Sequence, residues 1–137
     1  MKNKPTQFYF WCFIVSLIGS FVLFTLPGDD LPSADWLNIP YLDKLVHAAI
    51  FTTLCFTCFW WINSLQQLQN IGLVAFFIAV LFLLYGIGIE FYQEMCVKSR
   101  AFELADIAAD ATGCGIFVMF IWLKKVGPRR NGGLNQN

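Results

Sequence analysis

Residues 100–123 read RAFELADIAADATGCGIFVMFIWL, and this stretch decides the fold of the chain. Its uncharged part, Ala111 to Leu123, would reach only about 20 Å as a helix, whereas the hydrocarbon core of a bilayer is about 30 Å thick. A helix that crosses the membrane must therefore begin near Leu104 and include Asp106 and Asp110. Because a carboxylate in hydrocarbon is costly, these two side chains must face protein or water. The stretch predicts a transmembrane helix with an acidic stripe at one end.

Three further apolar stretches precede this one, and the chain is too apolar for a soluble protein. It is 58% hydrophobic and only 13% charged over 137 residues, which leaves too little polar surface to cover a soluble fold. Only helices and closed barrels satisfy the backbone in lipid, and these stretches lack the two-residue alternation of barrel strands. We therefore predict an all-α membrane protein, a four-transmembrane-helix bundle that forms one domain over residues 1–137. The predicted spans are 8–26, 44–63, 71–92 and 104–123, followed by a flexible basic tail over 124–137.

The basic residues predict which side of the membrane holds the termini. Cytoplasmic segments of membrane proteins are enriched in lysine and arginine. Of the nine such residues in this chain, six fall near its two ends: Lys2, Lys4, Lys124, Lys125, Arg129 and Arg130. We therefore expect both termini in the cytoplasm and the first and third loops outside. The tail is interpreted as a topology signal with modest attraction to anionic lipid, and nothing in the sequence supports nucleic-acid binding.

Polar side chains collect at the ends of three predicted helices that share the outer side. Spacings of three, four and seven residues place each set on one face of its helix. Nearby small residues such as Gly86 and Gly113 allow the helix backbones to approach each other. We therefore predict an outward-facing polar pocket with these ligand-binding residues: Asp43, Lys44, His47, Glu90, Gln93, Arg100, Glu103, Asp106 and Asp110.

His47 and Glu90 each allow a functional and a structural interpretation. His47, the only histidine, can carry a proton near neutral pH, or it can fasten two helices by donating to Asp43 or Glu90. Glu90 lies in an apolar helix and can act as an acid, a base or an ion-pair anchor, or it can be satisfied by Arg100 and by helix N-termini. With Asp106, these two residues are the candidates for catalysis, but the sequence assigns no catalytic role.

The charge balance of the predicted pocket bears on what it binds. Its acids outnumber the basic residues around it, so a strongly anionic ligand would need several acids to be protonated or already paired. The Arg100 guanidinium can still bind a phosphate or a carboxylate through two parallel hydrogen bonds. The balance favours a mixed hydrogen-bonding pocket, or an amine-bearing or zwitterionic group. No metal site is expected, because the chain has no second histidine, and no other cofactor is expected.

The five cysteines indicate no redox or zinc motif. Cys55 and Cys58 form a C-x-x-C pair, but the pair lies inside a predicted helix and lacks both a loop and a second pair. We interpret these thiols as small apolar side chains of the helix interior. The odd count leaves at least one thiol free, and no required disulfide is predicted.

Taken together, these residues resemble the pattern of the VanZ-like family. The matching elements, in chain order, are Pro27-Gly28 with Leu31-Pro32, Asp43-Lys44-x-x-His47-x-x-x-Phe51, Glu90-x-x-Gln93, and Arg100-x-x-Glu103-x-x-Asp106-x-x-x-Asp110-x-x-Gly113. The resemblance covers residues 27–115 and departs at Asp110, where the family pattern usually has Asn. It implies an integral protein of the bacterial cytoplasmic (inner) membrane that is linked to the cell envelope. The family is named for a component of a glycopeptide-resistance cluster, so the resemblance also implies a link to teicoplanin-type resistance.

Two main classes of function fit these residues. The first is a non-enzymatic envelope protein whose pocket binds a lipid headgroup, a peptidoglycan precursor or an amphiphile. The second is a small intramembrane enzyme that uses His47 with Glu90 or Asp106 as acid and base on a lipid-linked substrate. A transporter element is a third alternative. In each case the expected partners are membrane lipids.

Overall fold

Four helices make up the fold. The computed structural model describes residues 4–26, 41–66, 68–98 and 100–126. Within these ranges the helices are α1 (Lys4–Thr25), α2 (Leu42–Leu65), α3 (Ile71–Cys96) and α4 (Leu104–Val126), and there is no strand. Each helix is long and apolar enough to cross a membrane. The prediction of an all-α fold with four helices of membrane-spanning length is confirmed.

The helices differ from the predicted spans mainly at their ends. α1 begins four residues before the predicted start at residue 8, α3 continues four residues past 92, and α4 continues three residues past 123. The predicted spans followed the apolar runs, but backbone hydrogen bonds form equally well between polar residues where a helix leaves the lipid. Residues 124–126 are therefore helical rather than part of a flexible tail. Residues 127–137 lie outside the described residues, as do Pro27-Gly28 and Leu31-Pro32.

A close backbone approach holds α2 against α4. Gly113 of α4 lies so near Ala48 of α2 that a Cβ atom at Gly113 would collide with the Ala48 carbonyl oxygen. Thr52, one turn further along α2, donates a hydrogen bond of 3.0 Å to the carbonyl oxygen of Gly113. Close packing of this kind is what associates helices in lipid, where no hydrophobic force acts between them. α4 also packs on α3, and α1 packs mainly on α2.

The bundle is apolar both inside and outside. Phe51 of α2 and Phe117 of α4 are completely buried at its centre. Its outer surface carries large apolar side chains that are more than half exposed, such as Val15, Phe77 and Met119. Water would solvate such a surface poorly, whereas lipid chains solvate it well. The surface therefore suits a multi-pass membrane protein.

Successive helices run in opposite directions, so the bundle has two different ends. α1 and α3 end, and α2 and α4 begin, at the end that we call the polar end, where the ring of Phe24 lies 4.5 Å from the ring of His47. At the opposite end, the ring of Tyr9 stacks on Trp60 at 6.3 Å. The polar end contains the three helix ends at which the sequence predicted a pocket.

Candidate functional site

All nine polar residues predicted from the sequence lie at the polar end. α2 supplies three of them, α3 two and α4 two, and the segment between α3 and α4 supplies the others. Of the six buried polar side chains in the described part of the chain, five belong to this set: His47, Glu90, Gln93, Asp106 and Asp110. Asp43 and Glu103 are exposed, and Lys44 and Arg100 are half-buried.

The ammonium group of Lys44 joins α2 to α4. It lies 2.8 Å from Asp43 Oδ2, and it lies 2.5 Å from both Glu103 Oε2 and Asp106 Oδ1. The side chains of Asp43 and Glu103 are more than half exposed, so solvent weakens their pairing with the lysine. Asp106 is buried, and a buried carboxylate requires a partner. Lys44 therefore acts chiefly as the counter-charge of Asp106.

His47 and Asp110 form a buried pair between α2 and α4. Nδ1 of His47 lies 2.9 Å from Oδ1 of Asp110, and the side chains are 4% and 1% exposed. The structural interpretation of His47 offered a bond that fastens two helices, with Asp43 or Glu90 as the partner. Such a bond is present, but both named partners were wrong, since the partner is Asp110. Asp110 lies a full turn deeper in α4 than Asp106, and the backbone contact at Gly113 brings that turn against α2. Asp110 therefore supplies the partner of the only histidine.

The second ring nitrogen of His47 faces Asp106. Nε2 lies 3.9 Å from Asp106 Oδ2, which is too long for a hydrogen bond. The other oxygen of the same carboxylate contacts the Lys44 ammonium group. Asp106 thus stands between a lysine on one side and an imidazole nitrogen on the other.

The carboxylate of Glu90 is completely buried and only half satisfied. Its Oε2 accepts a hydrogen bond of 3.0 Å from the backbone N–H of Glu103, at the N-terminus of α4, as the structural interpretation expected. Its Oε1 is buried and has no hydrogen-bond partner in the described chain. Among the described residues no ion pair joins Arg100 to this carboxylate, although the sequence analysis offered Arg100 as its partner. Nε of Arg100 is also buried without a hydrogen-bond partner there.

Gln93 is used to fasten α1. Its side-chain Nε2 donates a hydrogen bond of 2.8 Å to the backbone carbonyl of Phe24, in the last turn of α1. That carbonyl has no partner within its own helix, since the last four carbonyls of a helix are left unsatisfied. The amide nitrogen of the predicted site residue Gln93 therefore holds the end of α1 beside the cluster.

Two groups of side chains at the polar end have spacings that could hold a metal ion. His47, Glu90 and Asp106 are all buried, and each offers a ligand atom within 4.8 Å of the others. Asp43, Glu103 and Asp106 form the second group, but the Lys44 ammonium group already lies among these three carboxylates. In the first group Lys44 contacts only Asp106, and among the described residues no ion pair reaches Glu90.

Two buried contacts were missed by the sequence analysis. The hydroxyl of Ser20 in α1 lies 3.1 Å from the hydroxyl of Tyr85 in α3, and Ser20 is the one buried polar residue of the described chain outside the polar end. A polar residue inside an uncharged span was the available signal. The sulfur atoms of Cys55 and Cys114 lie 3.8 Å apart as free thiols. Neither position carries a motif that predicts this neighbour.

Comparisons with known proteins found no match. No family model matches the chain, and neither the search of curated proteins nor the search of solved structures found a similar protein. The argument about function therefore rests on the residues of the site.

Proposed function

We propose that this chain is a multi-pass cell-envelope membrane protein whose polar end faces outward and binds the headgroup of a lipid, a peptidoglycan precursor or another amphiphile. One observation carries the proposal. The carboxylate oxygen Oε1 of Glu90 is buried in a cluster built by three helices, and it has no partner in the described chain. Buried polar groups are nearly always hydrogen-bonded in folded proteins. An unfilled acceptor inside a polar cluster is therefore a place where a ligand can donate.

The charges of the cluster favour a headgroup that brings positive charge. Five carboxylates of the predicted pocket lie at the polar end, and the ion pairs among the described residues give them only Lys44 and His47 as partners. A purely anionic headgroup would be repelled by the remaining acids. An amine or a zwitterion can place its ammonium group near these acids. The same charge balance was the reason for expecting such a group from the sequence.

An apolar groove beside the cluster suits the chain of an amphiphile. The groove lies between α1 and α2, has a volume of about 290 Å³, and is lined by Ser16, Gly19, Ser20, Leu23, Ala49, Ile50 and Thr53. Leu23 directly precedes Phe24, whose ring contacts His47, so the groove starts within one helical turn of the cluster. A headgroup in the cluster and an acyl chain in the groove would use both features.

Headgroup binding can be measured with the protein in lipid nanodiscs. Spin-labelled lipids with a zwitterionic and with an anionic headgroup would be titrated, and we expect saturable binding with preference for the zwitterion. Glu90→Gln should weaken this binding about tenfold, since it removes the negative charge that pairs with the ammonium group of the headgroup. Glu94→Gln is the matched control, because it removes an exposed carboxylate of α3 that is not part of the predicted pocket, and it should change little. Equal, non-saturable association of both lipids would contradict the proposal.

The outward orientation can be tested with a native thiol. Cys96 ends α3 at the polar end and is exposed, whereas the other four cysteines are buried or half-buried. A membrane-impermeant maleimide added to intact cells should label the protein, and Cys96→Ser should abolish the label. Labelling that appears only after the membrane is opened would place the polar end in the cytoplasm.

An intramembrane enzyme is the second candidate, favoured by the pair of His47 and Asp110. An imidazole held by a carboxylate through one nitrogen can act as acid or base through the other. Here the free nitrogen faces Asp106, and a ring nitrogen of His47 lies within 4.8 Å of a carboxylate oxygen of Glu90. Turnover of a lipid-linked substrate that is abolished by both His47→Gln and Glu90→Gln would favour this function. Saturable binding without product would favour headgroup binding alone.

The resemblance to the VanZ-like family supports the envelope assignment and suggests the bacterial cytoplasmic membrane as its location. A link to teicoplanin-type resistance belongs to the same proposal. Expression of the chain in a teicoplanin-sensitive host should then raise the inhibitory concentration, and Glu90→Gln should lower it again. An unchanged inhibitory concentration would remove resistance from the proposal and leave headgroup binding to its own test.

A further inference from the structure

The deepest part of the polar end has the donor atoms of a metal site. His47, Glu90 and Asp106 come from three different helices, are all buried, and offer one nitrogen and two carboxylate oxygens within 4.8 Å of one another. We propose that His47, Glu90 and Asp106 bind a divalent transition-metal ion, with Asp110 holding the His47 ring from behind. This deepens the proposed function, because the ion would lie where the headgroup binds.

The orientation of the His47 ring supports metal binding through Nε2. An ionised carboxylate can only accept hydrogen bonds, so with Asp110 ionised the 2.9 Å contact places the proton on Nδ1 of His47. In the neutral ring, Nε2 is then the nitrogen with a free lone pair. Metal-binding histidines in proteins nearly always donate their other N–H to a carboxylate or a carbonyl, which fixes the ring toward the metal. Asp110 provides this support here.

Glu90 supplies the independent observation that a ligand is needed. Its side chain is 0% exposed, yet Oε1 has no partner in the part of the chain that the structure describes. An ionised carboxylate buried in this way is costly unless it is paired or coordinates a metal. The exposed acids Asp43 and Glu103 differ in this respect, since water and Lys44 satisfy them.

The distance between His47 and Asp106 fits an ion of the size of Zn²⁺ or Co²⁺. Two donor atoms that each lie about 2.1 Å from such an ion are about 3.4 Å apart at a tetrahedral angle and about 4.2 Å apart on opposite sides. Nε2 of His47 and Oδ2 of Asp106 are 3.9 Å apart, which lies between these limits. The other oxygen of Asp106 contacts Lys44, so the carboxylate can use one oxygen for each cation.

The donor set decides which metals are expected. One imidazole with two carboxylates suits a borderline transition-metal ion better than Ca²⁺ or Mg²⁺, which prefer oxygen alone. Three protein ligands leave at least one coordination position open, as in metal sites that bind a further small group. The phosphate or carboxylate part of a zwitterionic headgroup could occupy that position. The sequence predicted no metal site because the chain has no second histidine. In the proposed site, Glu90 and Asp106 supply the remaining ligand atoms.

Cobalt(II) titration of the purified, chelator-treated protein in detergent tests the site. We expect one Co²⁺ per chain, with the visible absorption of nitrogen and oxygen ligands, and competition by Zn²⁺. Glu90→Gln and Asp106→Asn should each weaken Co²⁺ binding at least tenfold while the protein stays folded, because both replacements keep the side-chain size. Asp110→Asn should weaken it less, since the amide oxygen still accepts from Nδ1 of His47. Glu94→Gln is the matched control, because Glu94 is an exposed carboxylate of α3 outside the proposed site, and it should leave binding unchanged.

Three results would overturn the metal site. The first is a lack of saturable Co²⁺ binding, and the second is Co²⁺ binding by the Glu90→Gln and Asp106→Asn proteins that equals binding by the unsubstituted protein. The third is the intense absorption of a cobalt thiolate, which would place the ion at Cys55 and Cys114. Lipid titration of the chelator-treated protein separates this failure from that of the proposed function. Headgroup binding without Co²⁺ binding would retain the function and remove the metal. Co²⁺ binding without headgroup preference would retain the metal site and remove the proposed function.

Discussion

The two ends of the bundle are joined by different kinds of contact. At the polar end, directed contacts between charged or polar atoms connect the helices, such as the 2.9 Å pair of His47 with Asp110. At the opposite end, aromatic rings do so: Phe13 stacks on Trp61 at 5.4 Å, and Tyr9 stacks on Trp60 at 6.3 Å. Hydrogen bonds weaken steeply with small changes in distance and angle, whereas aromatic pairs are attractive over a range of offsets. The polar end therefore fixes the register of the helices, and the aromatic end tolerates variation.

This difference predicts where substitutions do most harm. In lipid, an apolar side chain gains no hydrophobic free energy by moving between helices, so aromatic contacts contribute packing alone. A buried polar atom that loses its partner, in contrast, has no water to replace it. Substitutions of buried polar side chains at the polar end, and at the backbone contact beside it, should therefore lower the free energy of unfolding more than substitutions at the aromatic end.

The largest effect is expected for Gly113→Ala, beside the polar end. The added Cβ atom would collide with the carbonyl oxygen of Ala48, a backbone atom that cannot turn away. Separation of α2 from α4 should lower the free energy of unfolding by about 3 kcal/mol, in spite of the better helix propensity of alanine. Thermal unfolding in detergent would measure this. Gly115→Ala is the control, since a Cβ there meets nothing within 4 Å, and equal midpoints for the two variants would contradict the role of the contact.

Asp110→Ala should be next, because it leaves Nδ1 of His47 buried without an acceptor. We expect a loss of about 2 kcal/mol in the free energy of unfolding. Asp110→Asn keeps an acceptor oxygen at the same place and should lose less than half of that. A double-mutant cycle with His47→Phe would measure the coupling between the two side chains. A coupling close to zero would show that the polar end does not fix the register through this pair.

Trp61→Ala tests the aromatic end. The substitution removes the stack on Phe13 and the contact with Phe10, whose ring centroid lies 5.4 Å from that of Trp61. We expect a loss of about 1 kcal/mol in the free energy of unfolding, from packing alone. Trp61→Phe should recover most of it. A loss larger than that of Asp110→Ala would reverse the proposed ranking of the two ends.

The smallest effect is expected for Asp43→Ala, although it too lies at the polar end. The carboxylate is 57% exposed and shares Lys44 with Glu103 and Asp106. Exposed ion pairs contribute about 0–1 kcal/mol, so thermal unfolding should change by less than the loss from Trp61→Ala. A loss comparable to that of Asp110→Ala would mean that exposed charges at the polar end matter as much as the buried pair.

The sequence predicted where in the bundle the candidate site lies, but it did not predict which side chains contact each other there. Helical spacing and the ends of the apolar runs placed Asp43, His47, Glu90 and Asp106 at one end of the bundle, and the structure finds them there. The partner of His47 was predicted wrongly, because Asp43 and Glu90 lie nearer to the apparent helix ends than Asp110 does. Hydropathy locates the ends of each span only to within a few residues. It could therefore not show which residue of α4 lies level with His47 of α2.

The sequence by itself determined the four helices, the end at which the charges gather, and the need for those charges to avoid lipid, because all three follow from the length of the apolar runs and the cost of charge in hydrocarbon. The tertiary structure alone decided that Asp110 holds His47, that Lys44 lies among Asp43, Glu103 and Asp106, and that Glu90 keeps an unpaired oxygen. These pairings depend on the rotation and axial offset of each helix. Both are set by contacts between distant segments, such as Gly113 against Ala48, which no local pattern encodes.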